Sequence, residues 1–224
     1  MVSNGEGASH VNEIIQLAQV EEKFIFRGKE FTSAKSKEIL KELDLDYIIG
    51  IHFPYYFDNE VLSVPKYGVI NLHPAYLPYN KGWHTPSWAI IDKTKIGGTL
   101  HFMSDTIDSG NIIHQKELSI LPDDTANTLY KRVKKCELDT FVEAWEQIKG
   151  KNIHDYPQAV QGTSHQKSDL FNTDVQRIDK DKFYKAGDLI DILRALTTSD
   201  LSESAYFEEH GKKYRIQISI YEES

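Results

Sequence analysis

Residues 67–82 read Tyr-Gly-Val-Ile-Asn-Leu-His-Pro-Ala-Tyr-Leu-Pro-Tyr-Asn-Lys-Gly. Val69, Ile70 and Leu72 form a short apolar run with Asn71 and His73 at alternate positions, and Pro74 and Pro78 stop regular structure beyond it. Residues two apart on a strand share a face, so Asn71 and His73 are expected to look the same way from a strand end into a loop. In α/β proteins, sites gather at the carboxyl ends of parallel strands.

The flanking sequence supports that setting. Upstream, 46–53 is an almost continuous apolar run, as expected of a parallel strand covered on both faces, and Pro54 ends it. Before it, Thr32 or Ser33 can cap a helix through Leu43 with Ile39, Leu40 and Leu43 as its apolar side. Phe24-Ile25-Phe26 is a short strand, and Val11, Ile14, Ile15, Leu17 and Ala18 follow helical spacing. Val2 and Ser3 read as a strand end and 4–9 as a loop, where Gly5 and Gly7 fit an ordinary turn better than a phosphate cradle. Phe57 to Val64 reads as a short helix.

Downstream, Thr85 to Ile91 forms a helix with Pro86 in its first turn, where the missing N–H costs little. Runs 96–103 and 112–115 are strands joined by the polar loop 104–110, which carries Asp108. Asp123 or Asp124 begins a long helix to about Ile148, its apolar side being Ala126, Leu129, Val133, Cys136, Phe141 and Trp145. Residues 150–176 are polar and weakly periodic, the pattern of a linker. A helix over 188–196 and a hairpin, 205–207 and 214–220 about a His210-Gly211 turn, complete the chain. A lone hairpin is marginal, so its Tyr214, Ile216, Ile218 and Ile220 face must dock on the first domain or on another chain. The expected architecture is α/β: a Rossmann-like domain with a mostly parallel sheet over 1–165, then a small helix and hairpin module over 166–224.

With 224 residues, 40% hydrophobic and 27% charged, the chain can bury a proper core. A net charge of −8 argues against a nucleic-acid partner, which needs clustered Lys and Arg. One cysteine, Cys136, excludes an intrachain disulfide framework and fits a reducing compartment. No apolar run approaches a membrane span and no signal peptide is recognisable, so a soluble, cytoplasmic protein is expected. His52, His73, His84, His101 and His114 match no metal-ligand spacing, and strand placement is expected to scatter them; His101 and His114 read as hydrogen-bonded strand residues.

Asn71, His73 and Asp108 combine an amide donor, a base near neutral pKa and a carboxylate able to orient that base. That set suits acyl transfer to an amine, with the amide on the developing oxyanion and no Ser or Cys nucleophile required.

Asn71-Leu72-His73-Pro74, then Leu77-Pro78 and Gly82, then Ile107-Asp108-Ser109-Gly110-Asn111-Ile112-Ile113, closely resemble in order and spacing the Asn-x-His, Leu-Pro and Asp-x-Gly motifs of enzymes that take formyl from N10-formyltetrahydrofolate. The run HPAYLPYNKGWHTPSWAI, the strand TLHF and the C-terminal segment resemble the sugar N-formyltransferases within that family. Those enzymes formylate a nucleotide-linked amino sugar, commonly dTDP-4-amino-4,6-dideoxyglucose or its 3-amino isomer, for O-antigen or other surface polysaccharides. The resemblance implies His73 as base, Asn71 as oxyanion stabiliser and Asp108 as the residue that positions His73. It implies folate contacts from Phe53, Tyr55, Tyr56, Phe57, Ser104, Asp105, Ile107 and Gly110. Sugar-nucleotide contacts are implied for Tyr76, Lys81, Gly82, Trp83, His84 and Thr85.

It further implies a homodimer through the C-terminal hairpin; the histidine spacings lead us to expect no metal. Relatives begin with a strand and helix ahead of the segment that MVSN resembles, so the first βα unit is expected to be missing. Open alternatives are a 3-amino sugar, a UDP-amino sugar or methionyl-tRNA as acceptor, water as acceptor in a formyltetrahydrofolate hydrolase, and a non-enzymatic folate- or nucleotide-binding dimer.

Overall fold

The structure is a computed structural model that describes residues 2–3, 11–53, 57–159 and 161–223. It divides into two compact units, 1–71 and 72–224.

In the first unit, β1 (Val2–Ser3) precedes α1 (Val11–Ala18) and pairs in parallel with β2 (Phe26–Arg27). Helix α2 (Ala34–Glu42) is capped by Ser33, whose Oγ accepts from Ser36 N at 3.2 Å. Strand β3 (Ile48–Ile51) neighbours the start of β4 (Val69–His73), and between them α3 (Asn59–Leu62) is capped by Asp58. Strand β3 departs from expectation: Ile49 and Ile51 are 36% and 59% exposed and only Gly50 is buried. Ile49 and Ile51, two apart, share a face, so β3 is open on that face and not covered on both; among the described residues it also has a neighbour on one side alone, an edge of its sheet. By contrast β4 is buried at every position. The expected 4–9 loop and Pro54 lie outside the described residues.

The second unit continues from the end of β4 through β5 (Lys81–Gly82) and α4 (Thr85–Ile91) to β6 (Ile96–Phe102) and β7 (Ile112–Leu118). Strands β6 and β7 are antiparallel with an irregularity at Leu100/His101, and the central sheet is otherwise mostly parallel, giving the expected mixed α/β architecture. Helix α5 (Ala126–Lys149) is capped by Thr125, one or two residues beyond the expected start at Asp123 or Asp124, because Thr125 and Thr128 form a reciprocal capping box. Asp124 is instead buried and accepts from Leu121 N and from Arg132.

The buried face of α5 runs Leu129, Val133, Cys136, Glu137, Thr140, Ala144 and Ile148, while Trp145 is 41% exposed. Phe141 and Trp145 therefore leave the expected face and pack on each other at 5.6 Å. Close approach selects small or slender groups here: a Cβ on Gly98 of β6 would lie 2.9 Å from Thr140 Oγ1 and 3.0 Å from Glu137 Cα.

Residues 150–176 are no free linker. Tyr156 bridges Ile112, and β8 (Ser164–His165) pairs in parallel with β5, Lys81 against Ser164 and Gly82 against His165. Polar composition hid this, because the segment contributes backbone pairing and not apolar side chains. Helices α6 (Thr173–Gln176) and α7 (Ala186–Ala195) lead to a hairpin of β9 (Ala205–Glu209) and β10 (Lys212–Ile216). Its turn is His210-Gly211, both at positive φ, as read. The second strand ends at Ile216 and not near Ile220, because β9 offers no partner beyond Ala205 and Ile218 N turns to Thr197 Oγ1 at 3.1 Å. Ile216 packs on a core of Trp88, Leu170, Leu196 and Ala205, so part of the hairpin face docks within its own unit. No helix among the described residues is long and apolar enough to cross a membrane.

Candidate active site

The second unit assembles a cluster around one carboxylate. The irregularity at the end of β6 and the loop after it deliver Asp108 in the left-handed region, φ 47°, which Asp tolerates better than most residues. Its Oδ2 accepts from Gly82 N at 2.9 Å and lies 3.6 Å from His73 Nδ1; its Oδ1 lies 3.6 Å from His101 Nε2. Burial alone would raise this carboxyl, but the charge of His73, the hydrogen bond and charge of His101 and the Gly82 N–H together hold it well below the usual carboxylate range. Asp108 is thus an anion held between two imidazoles.

Gly82 makes this possible. At φ +89° its N–H aims at Asp108, and a Cβ there would lie 2.3 Å from His165 O across the β5–β8 pair. His73, itself buried, has its other ring nitrogen, Nε2, 3.1 Å from Asn80 O. Asn80 is held in turn: its Nδ2 donates to Thr94 Oγ1 and Lys95 O, and its backbone N donates to Thr163 Oγ1. Gln158 Nε2 donates to the carbonyls of Asp108 and Gly110, both at 2.8 Å, and fixes the loop. Asn71 stands on the same strand as His73, buried, two positions earlier.

Of the predicted residues, His73 and Gly82 meet Asp108 directly, and Lys81 reaches the loop beside it. Lys81 Nζ donates to Ser109 Oγ at 2.9 Å; burial lowers its pKa against the opposing pull of Asp108. Trp83 is 42% exposed with Lys167 Nζ 5.0 Å above its ring. His84, at φ 55°, places Nδ1 3.5 Å from Glu203 Oε1, while its buried Nε2 has no hydrogen-bond partner among the described residues.

Other predicted residues are engaged elsewhere. Thr85 Oγ1 donates to Pro74 O at 2.5 Å, and Tyr76 lies under Lys95. Ser104 and Asp105 bond with Thr106 inside their own turn, beside Ile107, which is 58% exposed. In the first unit, Phe53 and Phe57 form a ring cluster with buried Phe31, at 5.1 and 5.5 Å from it. Tyr55 and Tyr56 lie outside the described residues.

Sequence reasoning missed His101, Asn80, Gln158 and Lys167. His101 was read as an ordinary strand residue, and the histidines were expected to be scattered; the sheet instead sets the His73 and His101 rings 6.3 Å apart, at right angles. His114 does bond as expected, with Nε2 2.9 Å from Glu143 Oε2. Among the described residues, no three His, Cys, Asp or Glu side chains form a metal-holding group.

Comparison with known proteins gives matches in both parts of the chain. The family described as "Formyl transferase" matches residues 4–145, and the "N-formyltransferase dimerization C-terminal domain" matches residues 171–222. A dTDP-4-amino-4,6-dideoxyglucose formyltransferase of Mycobacterium tuberculosis is 27% identical over 183 residues, which are 82% of this chain and 76% of the relative. The crystal structure of a 4-N formyltransferase from Francisella tularensis superposes with a TM-score of 0.82 at 25% identity, covering 99% of this chain and 86% of that one. The formyltransferase PseJ from Anoxybacillus kamchatkensis, solved in complex with UDP-4,6-dideoxy-4-formamido-L-AltNAc and tetrahydrofolate, gives a TM-score of 0.61 at 26% identity, covering 75% of this chain and 86% of that one.

Proposed function

We propose that this chain, which belongs to the formyl transferase family, moves a formyl group from N10-formyltetrahydrofolate to the amino group of a dTDP-linked amino-dideoxy sugar, with dTDP-4-amino-4,6-dideoxyglucose as first choice. The observation that carries the reading is the buried His73–Asp108 pair, oriented by Gly82 N–H, on a chain that also matches the dimerization domain of N-formyltransferases.

The folate supplies a formyl carbon already activated on a nitrogen leaving group. His73 takes the proton lost by the sugar amine as its nitrogen bonds to the formyl carbon, and Asp108 stabilises the imidazolium so formed. Asn71 donates to the formyl oxygen where negative charge develops, a role in which one donor contributes about 2.7–4 kcal/mol. The proton then goes to the departing folate nitrogen, which returns His73 to its starting state.

The residues fit such ligands chemically. Exposed Ile107 beside the polar groups of 104–110 suits a heterocycle with an apolar face and a hydrogen-bonding edge, and we assign this loop to the folate along with Phe53, Tyr55, Tyr56 and Phe57. Lys81, Gly82, Trp83, His84, Thr85 and Tyr76 are assigned to the sugar nucleotide. Lys167 over the exposed Trp83 joins them as a cation and a stacking surface suited to a diphosphate and a base. The C-terminal module, 166–224, is assigned to dimerisation, and surface polysaccharide synthesis is the destination that fits the sugar.

The test is formyl transfer from N10-formyltetrahydrofolate to a panel of dTDP- and UDP-linked 3- and 4-amino sugars, with methionyl-tRNA and water as further acceptors. Product with the dTDP-linked 4-amino sugar at the highest kcat/KM is expected. Hydrolysis without transfer, or preference for the tRNA, overturns the reading; the net charge of −8 already disfavours a tRNA.

A further inference from the structure

A backbone carbonyl only accepts, so an imidazole nitrogen hydrogen-bonded to one carries the proton. This fixes Nε2–H on His73, against Asn80 O at 3.1 Å, and Nδ1–H on His101, against Phe102 O at 2.8 Å. The remaining nitrogens, His73 Nδ1 and His101 Nε2, both face Asp108, each 3.6 Å from a different carboxylate oxygen. With both rings neutral, two lone pairs would confront an anion in a site where Asp108 is only 12% exposed and His101 1%. One proton on either ring relieves that. A second proton would place imidazolium beside imidazolium, with ring centres 6.3 Å apart.

We propose that His101 is a positioning residue of this site: it shares Asp108 with His73, and the two rings compete for one favoured proton, so that His101 governs how readily His73 is neutral. A proton resting on His101 keeps Asp108 paired while the His73 ring stays neutral, the form able to take up the amine proton. The consequence for catalysis rests on the formyl-transfer reading; the sharing of the carboxylate does not.

Among the described residues, other charged and titratable groups lie on the elements around the cluster. Lys81 of β5 reaches Ser109 beside Asp108. His114 of β7, whose residue opposes Leu100, is turned to Glu143. From α5, Glu137 and Cys136 meet the sheet at Gly98 and at the Lys116 carbonyl.

Histidine side-chain 15N NMR across pH, on the full chain without ligands, tests this for wild type, His101→Gln and Asp108→Asn, alongside kcat/KM profiles. In His101→Gln the His73 midpoint should rise by about one pH unit, since Asp108 then serves one ring alone, and the acid limb of kcat/KM should move with it. An unmoved His73 midpoint, or a uniform loss of activity at every pH with no shift, overturns the proposal. Should His101→Gln not fold, Asp108→Asn decides: both midpoints falling together supports the sharing, and a fall at His73 alone overturns it. Coupled titration in a chain that formylates no amine would overturn the proposed function and leave this inference standing.

Discussion

Replacing Gly82 with alanine should lower stability and turnover together. Its φ of +89° costs an alanine about 1 kcal/mol or more, and the added Cβ would lie 2.3 Å from His165 O. A comfortable carbon–oxygen contact is about 3.3 Å, so β5 and β8 must part by about 1 Å. That loosens Lys81 N to Thr163 O, at 2.9 Å, and Trp83 N to His165 O, at 3.1 Å. At about 1 kcal/mol for each bond the total loss is about 3 kcal/mol. For a chain of this size the fall in Tm is about 6–12 °C.

The same movement pulls Gly82 N–H from Asp108 Oδ2, and a misplacement of about 1 Å at such a site costs about 100-fold in kcat/KM. Circular dichroism melts and steady-state formyl transfer on Gly82→Ala measure both. A variant with wild-type Tm and turnover would refute the claim that close strand approach holds the carboxylate.

Gly187, in the first turn of α7, has open space within 4 Å of where a methyl group would stand, so Gly187→Ala should raise stability by about 0.5–1 kcal/mol in the same melts. Leu170 is fully buried among Trp88, Leu196 and Ala205, and Leu170→Ala should cost about 2–5 kcal/mol by urea titration. His73→Ala should reduce kcat by about 100- to 10,000-fold while folate Kd, measured by calorimetry, changes little. Asp108 has a lowered folded pKa, so its stabilising contribution is full above its unfolded value, about 3.9, and fades as pH falls further. The stability gap between wild type and Asp108→Asn should therefore narrow on acidification below about pH 4.

What the sequence made legible was short in range. Alternation placed Asn71 and His73 on one strand, Pro86 marked the start of α4, and His210-Gly211 marked the hairpin turn, each from neighbours within a few positions. Asp108 was found through its motif on a loop. The partners that hold it were not, because they depend on strand order and distant pairing. His101 meets Asp108 only through the bend at the end of β6, Gln158 reaches back across a polar segment, and β8 pairs with β5 with no side-chain pattern to announce it. The exposed face of β3 escaped for a related reason: an apolar run states what a strand can bury, and its position in the sheet decides what it does bury.

The β5–β8 pairing also tells where this chain can be recombined. A chimaera joined at Gly150 would bring a foreign strand against Gly82 and a foreign residue to the place of Gln158, changing the mould around Asp108 while leaving every motif intact. One joined just after His165 keeps that mould native and exchanges only the helices and hairpin beyond it, so the useful seam lies past the segment whose composition marks it as dispensable.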